Sequence, residues 1–230
     1  MTTIGTNLFQ VKARIAAAAT ACGRDANSIG LLAAAKTFPA RAVREAFAAG
    51  QRAFGENYIQ EGVDKIRALS DLPLSWHCIG PIQSNKTRLV AEHFDWVHTL
   101  DRLKIAERLN AQRPLDKAPL QVCIQVNIDG STNKAGVAPE AAVELAQQVR
   151  SLPRLRLRGL MSIPEPTADF ASACTVHSKV QALLDALNAQ GLGLDTLSLG
   201  MSADLEAAIH SGSTLVRIGS AIFGERAHPG

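Results

Sequence analysis

Residues 29–50 read IGLLAAAKTFPARAVREAFAAG. The apolar run from Ile29 to Ala35 ends in a lysine, and Pro39 then opens an amphipathic stretch that stops at Gly50. The first part has the character of a buried strand and the second that of a helix laid against it. Proline suits the first helical turn, and glycine the position just past the last. The same alternation recurs along the chain. A leading helix over 7–22 precedes it and ends at Gly23. After it come Ala53 to Gly55 with a helix over 57–69, then Trp76 to Ile79 with a helix from Ser84 to Glu92 capped by its serine. Asp95 to Leu100 pairs with Asp101 to Asn110, an aspartate at the helix start, and Leu120 to Asn127 with a helix opened by Pro139. Leu155 to Met161 pairs with 168–190, Leu194 to Leu199 with Ala203 to Ser211, and Leu215 to Ile218 with a short terminal segment.

About eight strand–helix units joined by short connections define an α/β protein. An open doubly wound sheet and a closed barrel compete for that pattern. Consecutive units with no long connection, in a chain near the usual length of around 250 residues, favour the barrel. The expected fold is therefore a single (β/α)8 TIM barrel with an extra N-terminal helix, one domain over residues 1–230.

Composition removes several function classes. The chain carries 24 Lys+Arg against 21 Asp+Glu, and a net +3 is too small to argue for nucleic acid or an anionic membrane surface. Apolar residues at 47% and charged residues at 20% exclude wholesale disorder. Residues 1–15 hold no apolar h-region, and runs such as Leu31 to Ala35 fall far short of the roughly 20 residues of a membrane span. Cys22, Cys78, Cys123 and Cys174 form no CxxC pair, and the six histidines form no HxH or HxxxH pair, so no metal site is expected. Scattered thiols suit a reduced compartment, and the protein is expected to be a cytoplasmic monomer.

Barrels of this class build their sites at the C-terminal ends of the strands. Those ends carry Lys36, Gly55-Glu56-Asn57, Gly80, Thr99, Asn127, Met161-Ser162, Gly200-Met201-Ser202 and Arg217-Ile218-Gly219-Ser220. A lysine closing a buried strand pays a desolvation cost and tends towards the neutral amine that Schiff-base chemistry requires. Ala33, Ala34 and Ala35 beside it leave room for a planar ring. Taken alone, such a lysine more often snorkels out to solvent. The last strand changes the balance. Arg217 sits inside a short buried run, and Gly219-Ser220 after it opens a helix whose free N–H groups and dipole suit an anion. Gly200-Met201-Ser202 opens the preceding helix in the same way, and barrels often hold phosphate with the loops after strands seven and eight. Each Gly-Ser by itself is more often a plain cap or turn. Closing the barrel brings the last strand beside the first. A lysine, a phosphate seat and a fixed cation then outline a pyridoxal phosphate site.

The chain resembles the pyridoxal phosphate homeostasis proteins, a family related in fold to the N-terminal barrel domain of alanine racemase. The resemblance rests on Ala34-Ala35-Lys36-Thr37, Phe54-Gly55-Glu56-Asn57-Tyr58-Ile59-Gln60-Glu61, Trp76-His77-Cys78-Ile79-Gly80 and Gln83-Ser84-Asn85-Lys86. It continues through Val126-Asn127-Ile128, Arg158-Gly159-Leu160-Met161, Gly200-Met201-Ser202 and Val216-Arg217-Ile218-Gly219-Ser220-Ala221-Ile222-Phe223-Gly224. It implies that Lys36 carries pyridoxal 5′-phosphate as a Schiff base and that Arg217 faces the pyridine nitrogen. It implies that Ser202, Gly219 and Ser220 hold the phosphate, that Met201 also contacts the cofactor, and that Asn57, His77 and Ile79 line the ring pocket. Pro81 and Ser220 stand where the family commonly has His and Thr; the serine keeps the hydroxyl.

Arginine stays protonated and cannot pass a proton to the ring nitrogen, so the cofactor would be a weak electron sink. Racemase relatives add a tyrosine from a further domain as second base. Here the eight units consume the chain, and its lone tyrosine, Tyr58, is expected in the pocket wall. The expectation is a protein that stores, buffers and delivers the cofactor to apo-enzymes, with no catalytic residue. A racemase using His77 as second base and a lysine-dependent aldolase are the alternatives. Arg154, Arg156 and Arg158 read as a solvated strand entrance with one lumen arginine. Ser84-Asn85-Lys86 reads as a cap or a partner surface, and Asn133-Lys134 as a solvated loop or an anion contact.

Overall fold

The computed structural model describes residues 3–131 and 134–224. Eight parallel strands close in chain order: β1 (Gly30–Ala34), β2 (Ala53–Glu56), β3 (Ser75–Cys78), β4 (Trp96–Leu100), β5 (Leu120–Gln125), β6 (Leu155–Met161), β7 (Thr196–Ser198) and β8 (Leu215–Ile218). Closure runs through β1 and β8, where Leu32 pairs with Arg217 and Ala33 with Ile218. The helices are α1 (Ile4–Ala21), α2 (Ala40–Ala48), α3 (Ile59–Ala68), α4 (Thr87–His93), α5 (Leu103–Gln112), α6 (Pro139–Arg150), α7 (Phe170–Ala189), α8 (Leu205–His210) and α9 (Ser220–Phe223). The expected barrel is therefore the observed one.

The main core lies between the strands and the helices. Phe54, Trp76, Val97, Leu120, Val122, Leu160, Leu197 and Val216 point outward from the strands into it. α1 adds Leu8, Val11, Ile15 and Ala19. It packs beside α2, α8 and α9, tied down by an Asn7 amide bond to the Ile222 carbonyl and an Arg14–Glu206 ion pair. α8 and α9 are short, so α1 completes the apolar cover at the seam where the barrel closes.

Three local expectations fail. Ser84 begins a 3-10 turn over Ser84–Lys86, its carbonyl accepting from Thr87 Oγ1, and caps no α-helix. Asp101 pairs with Arg102 ahead of α5 and does not cap it. Gly200-Met201-Ser202 does not open a helix either. Asp204 Oδ1 accepts the Met201 N–H at 2.7 Å and closes a turn, and α8 starts only at Leu205. In each case a nearer side-chain or 3-10 bond satisfies groups that an N-cap would otherwise take.

Candidate functional site

Period-two alternation decides which side chains reach the lumen. On β1, Leu32 and Ala34 belong to the small inner cluster with Ile79, while Ala33 and Ala35 belong to the outer core. Extending the inner row carries Lys36 to the top of the lumen. The same step-of-two places Asn57 after Ala53 and Gly55, Ile79 after Ser75 and His77, and Gly219 after Leu215 and Arg217. There a cavity of about 380 Å³ opens.

Lys36, Asn57, Ile79, Met201, Ser202, Arg217, Gly219 and Ser220 all line it. Ala34, Phe38, Ile163, Ala203 and Gly224 complete the wall. Of the three alanines expected to make room, only Ala34 does so; the other two face the helices. Phe38, Ile163 and Gly224 lie past their strand ends, where alternation stops, so no periodic signal marks them. Phe38 stacks on Phe223 with ring centroids 5.0 Å apart.

The backbone around Lys36 is pinned on both sides. Thr37 adopts φ 68°, a left-handed conformation costly for a β-branched residue, and its hydroxyl donates to the Lys36 carbonyl at 2.5 Å. On the other side the Lys65 ammonium donates to the Ala35 carbonyl at 2.8 Å while paired with Glu56 at 2.8 Å. Lys36 itself is half-buried. Strain of this kind, held by surrounding bonds, marks a residue whose position matters.

Arg217 is 5% exposed. Its Nη1 donates to the Ser198 carbonyl and hydroxyl at 2.5 and 2.8 Å, and its Nη2 to the Ser162 carbonyl at 3.0 Å. Burial pulls its pKa down to about 10, against the pull of Asp204, so it remains a cation at neutral pH. Asn57 Oδ1 is buried with no partner among the described residues, an acceptor left for a ligand. At the seat formed by β8 and α9, the N–H groups of Ser220 and Ala221 precede the first intrahelical bond. A Cβ at Gly219 would stand 3.2 Å from the Ala34 carbonyl, so glycine keeps this approach open. Gly200, at φ 89°, makes the facing turn, where any side chain would meet Ala208.

His77 is not in this wall. It has the inward parity but sits two residues, about 6–7 Å, further down β3 than Ile79. There its Nδ1 lies 2.9 Å from His98 Nε2, its Nε2 lies 3.1 Å from Ser75 Oγ, and its ring stacks on Trp96. Burial pushes its pKa down to about 3. Tyr58 is also outside the cavity: it is 52% exposed and faces a separate groove with Gln60, Pro81, Gln83 and Lys86. The proline departure therefore falls in that groove. Arg158 lies over Trp96 and pairs with Asp195, as a lumen-edge arginine. Lys134 is tethered to Glu165 and Asp129 and donates to the Ile163 carbonyl, behind the cavity wall and not free in solvent. Asn133 lies outside the described residues.

Residues 7–227 match the family of the alanine racemase N-terminal domain, which fixes the class of barrel. Among individual relatives, the pyridoxal phosphate homeostasis protein of Pseudomonas aeruginosa is 60% identical over 226 residues, 98% of this chain and 97% of that one. That of Escherichia coli K12 is 56% identical over 229 residues, 98% of each. PipY of Synechococcus elongatus PCC7942, solved with PLP bound, superposes with a TM-score of 0.80 at 37% identity, covering 91% of this chain and all of that one. This chain belongs to the pyridoxal phosphate homeostasis protein family. Among the described residues no helix is long and apolar enough to cross a membrane, and no cluster of His, Cys, Asp and Glu is placed to hold a metal.

Proposed function

We propose that this protein holds pyridoxal 5′-phosphate in the Lys36 cavity and passes it to enzymes that need it. The observation that carries this is the convergence of Lys36, Arg217 and the Gly219–Ser220 seat on one cavity. The residues fit the group: a primary amine, a buried cation, small Ala34 leaving room for a planar ring, an amide oxygen at Asn57 with no partner among the described residues, and first-turn N–H groups for the phosphate. When bound, the cofactor supplies an aldehyde with which the Lys36 amine condenses, releasing one water and holding it covalently. Arg217 would keep a full cation at the cavity wall, facing the ring nitrogen, and give up no proton. Ser202, Gly219 and Ser220 would hold the anion, Met201 would wall the cavity with its N–H taken by Asp204, and Ile79 and Asn57 would orient the ring.

Storage without turnover fits the groups at hand. Arg217 offers no proton to the ring nitrogen, which leaves a weak electron sink. The racemase alternative called on His77 as second base, but that ring is buried and engaged below the cavity, and Tyr58 faces elsewhere. The four cysteines are free thiols, in keeping with a cytoplasmic site of action, and we take the working form to be the monomer. Incubation with the cofactor should give a visible absorbance band that borohydride fixes as a mass increment on the Lys36 peptide. A chiral assay should find no racemisation of alanine or serine. Turnover at an ordinary enzymatic rate refutes storage as the function, and an unlabelled Lys36 peptide refutes the site.

A further inference from the structure

Below the cavity the lumen is crossed by a row of polar side chains that cofactor holding does not by itself require. Arg217 Nη1 lies 2.8 Å from Ser198 Oγ, Ser198 Oγ 2.8 Å from His98 Nδ1, His98 Nε2 2.9 Å from His77 Nδ1, and His77 Nε2 3.1 Å from Ser75 Oγ. Ser198 and His98 are fully buried and His77 nearly so. The row runs from β8 through β7, β4 and β3, from just beneath the cavity to the opposite end of the strands.

Its proton positions follow from two facts: guanidinium has donors only, and the buried Ser198 hydroxyl must place its own proton. Arg217 donates to that hydroxyl, and among the described residues its remaining hydrogen-bond partner is His98 Nδ1, so the hydroxyl proton goes there; a proton on His98 Nδ1 would leave the buried hydroxyl hydrogen with no acceptor. His98 Nδ1 is then bare, and the neutral ring carries its proton on Nε2 and donates to His77 Nδ1. His77 in turn is protonated on Nε2 and donates to Ser75. Both rings are kept neutral by burial, and for His98 by the nearby charge of Arg217. The arginine thus orders every proton in the row, and the row in turn gives the arginine a rigid acceptor.

We infer that Ser198, His98 and His77 are positioning residues, a hydrogen-bonded row of a single polarity that locks the Arg217 guanidinium in place at the cavity wall. The inference rests on the reading in which Arg217 faces the cofactor. At the lower end Trp96 lies parallel to the His77 ring at 5.2 Å and 6°, with Arg158 over Trp96. The second carbonyl bond from Arg217 Nη1 to Ser198 makes β7 the anchor for both ends of the contact.

Proton-detected NMR of protein labelled with [15N]histidine, as purified and after stripping the cofactor with hydroxylamine, tests the polarity. His77 and His98 should both be neutral with Nε2 protonated in both samples. A proton on Nδ1 of either ring overturns the inference. Ser198→Ala tests the positioning. Pyridoxal phosphate should bind about tenfold more weakly by equilibrium dialysis, the loss expected of one bond to a charged group. Unchanged affinity in folded variant overturns the positioning role. If the variant does not fold, the tautomers of the unaltered protein decide. If the unaltered protein binds no pyridoxal phosphate, the cofactor reading falls, and the tautomers of the free protein still decide the row.

Discussion

Each strand of the barrel presents two rows of side chains, and they follow different chemistry. The outer row, with Ala33, Phe54, Trp76, Val97, Leu160 and Val216, packs under the helices by non-directional apolar burial. The inner row carries Lys36, Asn57, His77, His98, Ser198 and Arg217, each needing a partner of particular geometry. The outer row is satisfied within the molecule. Below the cavity the inner row is hydrogen-bonded side chain to side chain, whereas at the cavity the Asn57 oxygen is buried with no partner among the described residues. Stability and binding are therefore separable by choosing which row to alter.

The largest effect belongs to the inner row. Lys36→Ala should lose the borohydride-fixable visible band completely and leave thermal unfolding almost unmoved, because the half-buried chain packs little apolar surface. A band that survives would place the covalent link elsewhere. Phe54→Ala, in the outer row, should do the reverse. Phe54 is fully buried against Trp76 with ring centroids 5.9 Å apart, so its removal should cost about 3–5 kcal/mol in urea unfolding. The folded fraction should still take up cofactor with unaltered affinity, and a matching loss of affinity would show that the rows are not separable. Ala34→Leu returns to the inner row, putting three more carbons on the cavity floor beside Lys36. Binding should weaken by about a hundredfold, with stability changed little since the added atoms enter open space. Equilibrium dialysis and urea midpoints on the same sample separate the two quantities.

How far the sequence reveals these rows depends on periodicity. The alternation through Leu32, Ala34 and Lys36, repeated in Ala53-Gly55-Asn57 and Leu215-Arg217-Gly219, is readable in the residues and orders both barrel and cavity. Alternation gives the face but not the depth. His77 and Ile79 share a face, and only their partners in the folded barrel separate them: Ile79 lines the cavity while His77 bonds to His98 and Ser75. Phe38 and Ile163 escape because loops have no period. The polar row beneath the cavity escapes because its members come from strands far apart in sequence: His98 and Ser198 meet across the lumen, and neither forms a local motif.

Glu56 is a charged exception in the outer row, and it supplies the smallest and most pointed test. Its side chain is buried, paired on one oxygen with Lys65 and, among the described residues, without a partner on the other. Burial outweighs the pull of Lys65 and raises its pKa from the ordinary 4.5 to about 7. Between those values the folded protein keeps a proton that the unfolded chain has released. The stability this contributes is complete below about pH 4.5 and is lost as pH rises through about 7. His77 and His98, held neutral, act in the opposite sense: their contribution is present above the ordinary histidine value of 6.5 and fades as pH falls. A stability curve of the unaltered protein alone therefore mixes two signs. Glu56→Gln keeps the shape of the protonated acid and cannot titrate, so the difference between the two proteins isolates the carboxyl. From pH 5 to pH 8 that difference should move by about 2 kcal/mol against the unaltered protein, measured by urea unfolding at each pH. A constant difference would mean that Lys65 holds Glu56 ionised throughout. The Lys65 bond to the Ala35 carbonyl, which pins the chain ahead of Lys36, would then depend on a permanent ion pair and not on one that neutral pH can switch.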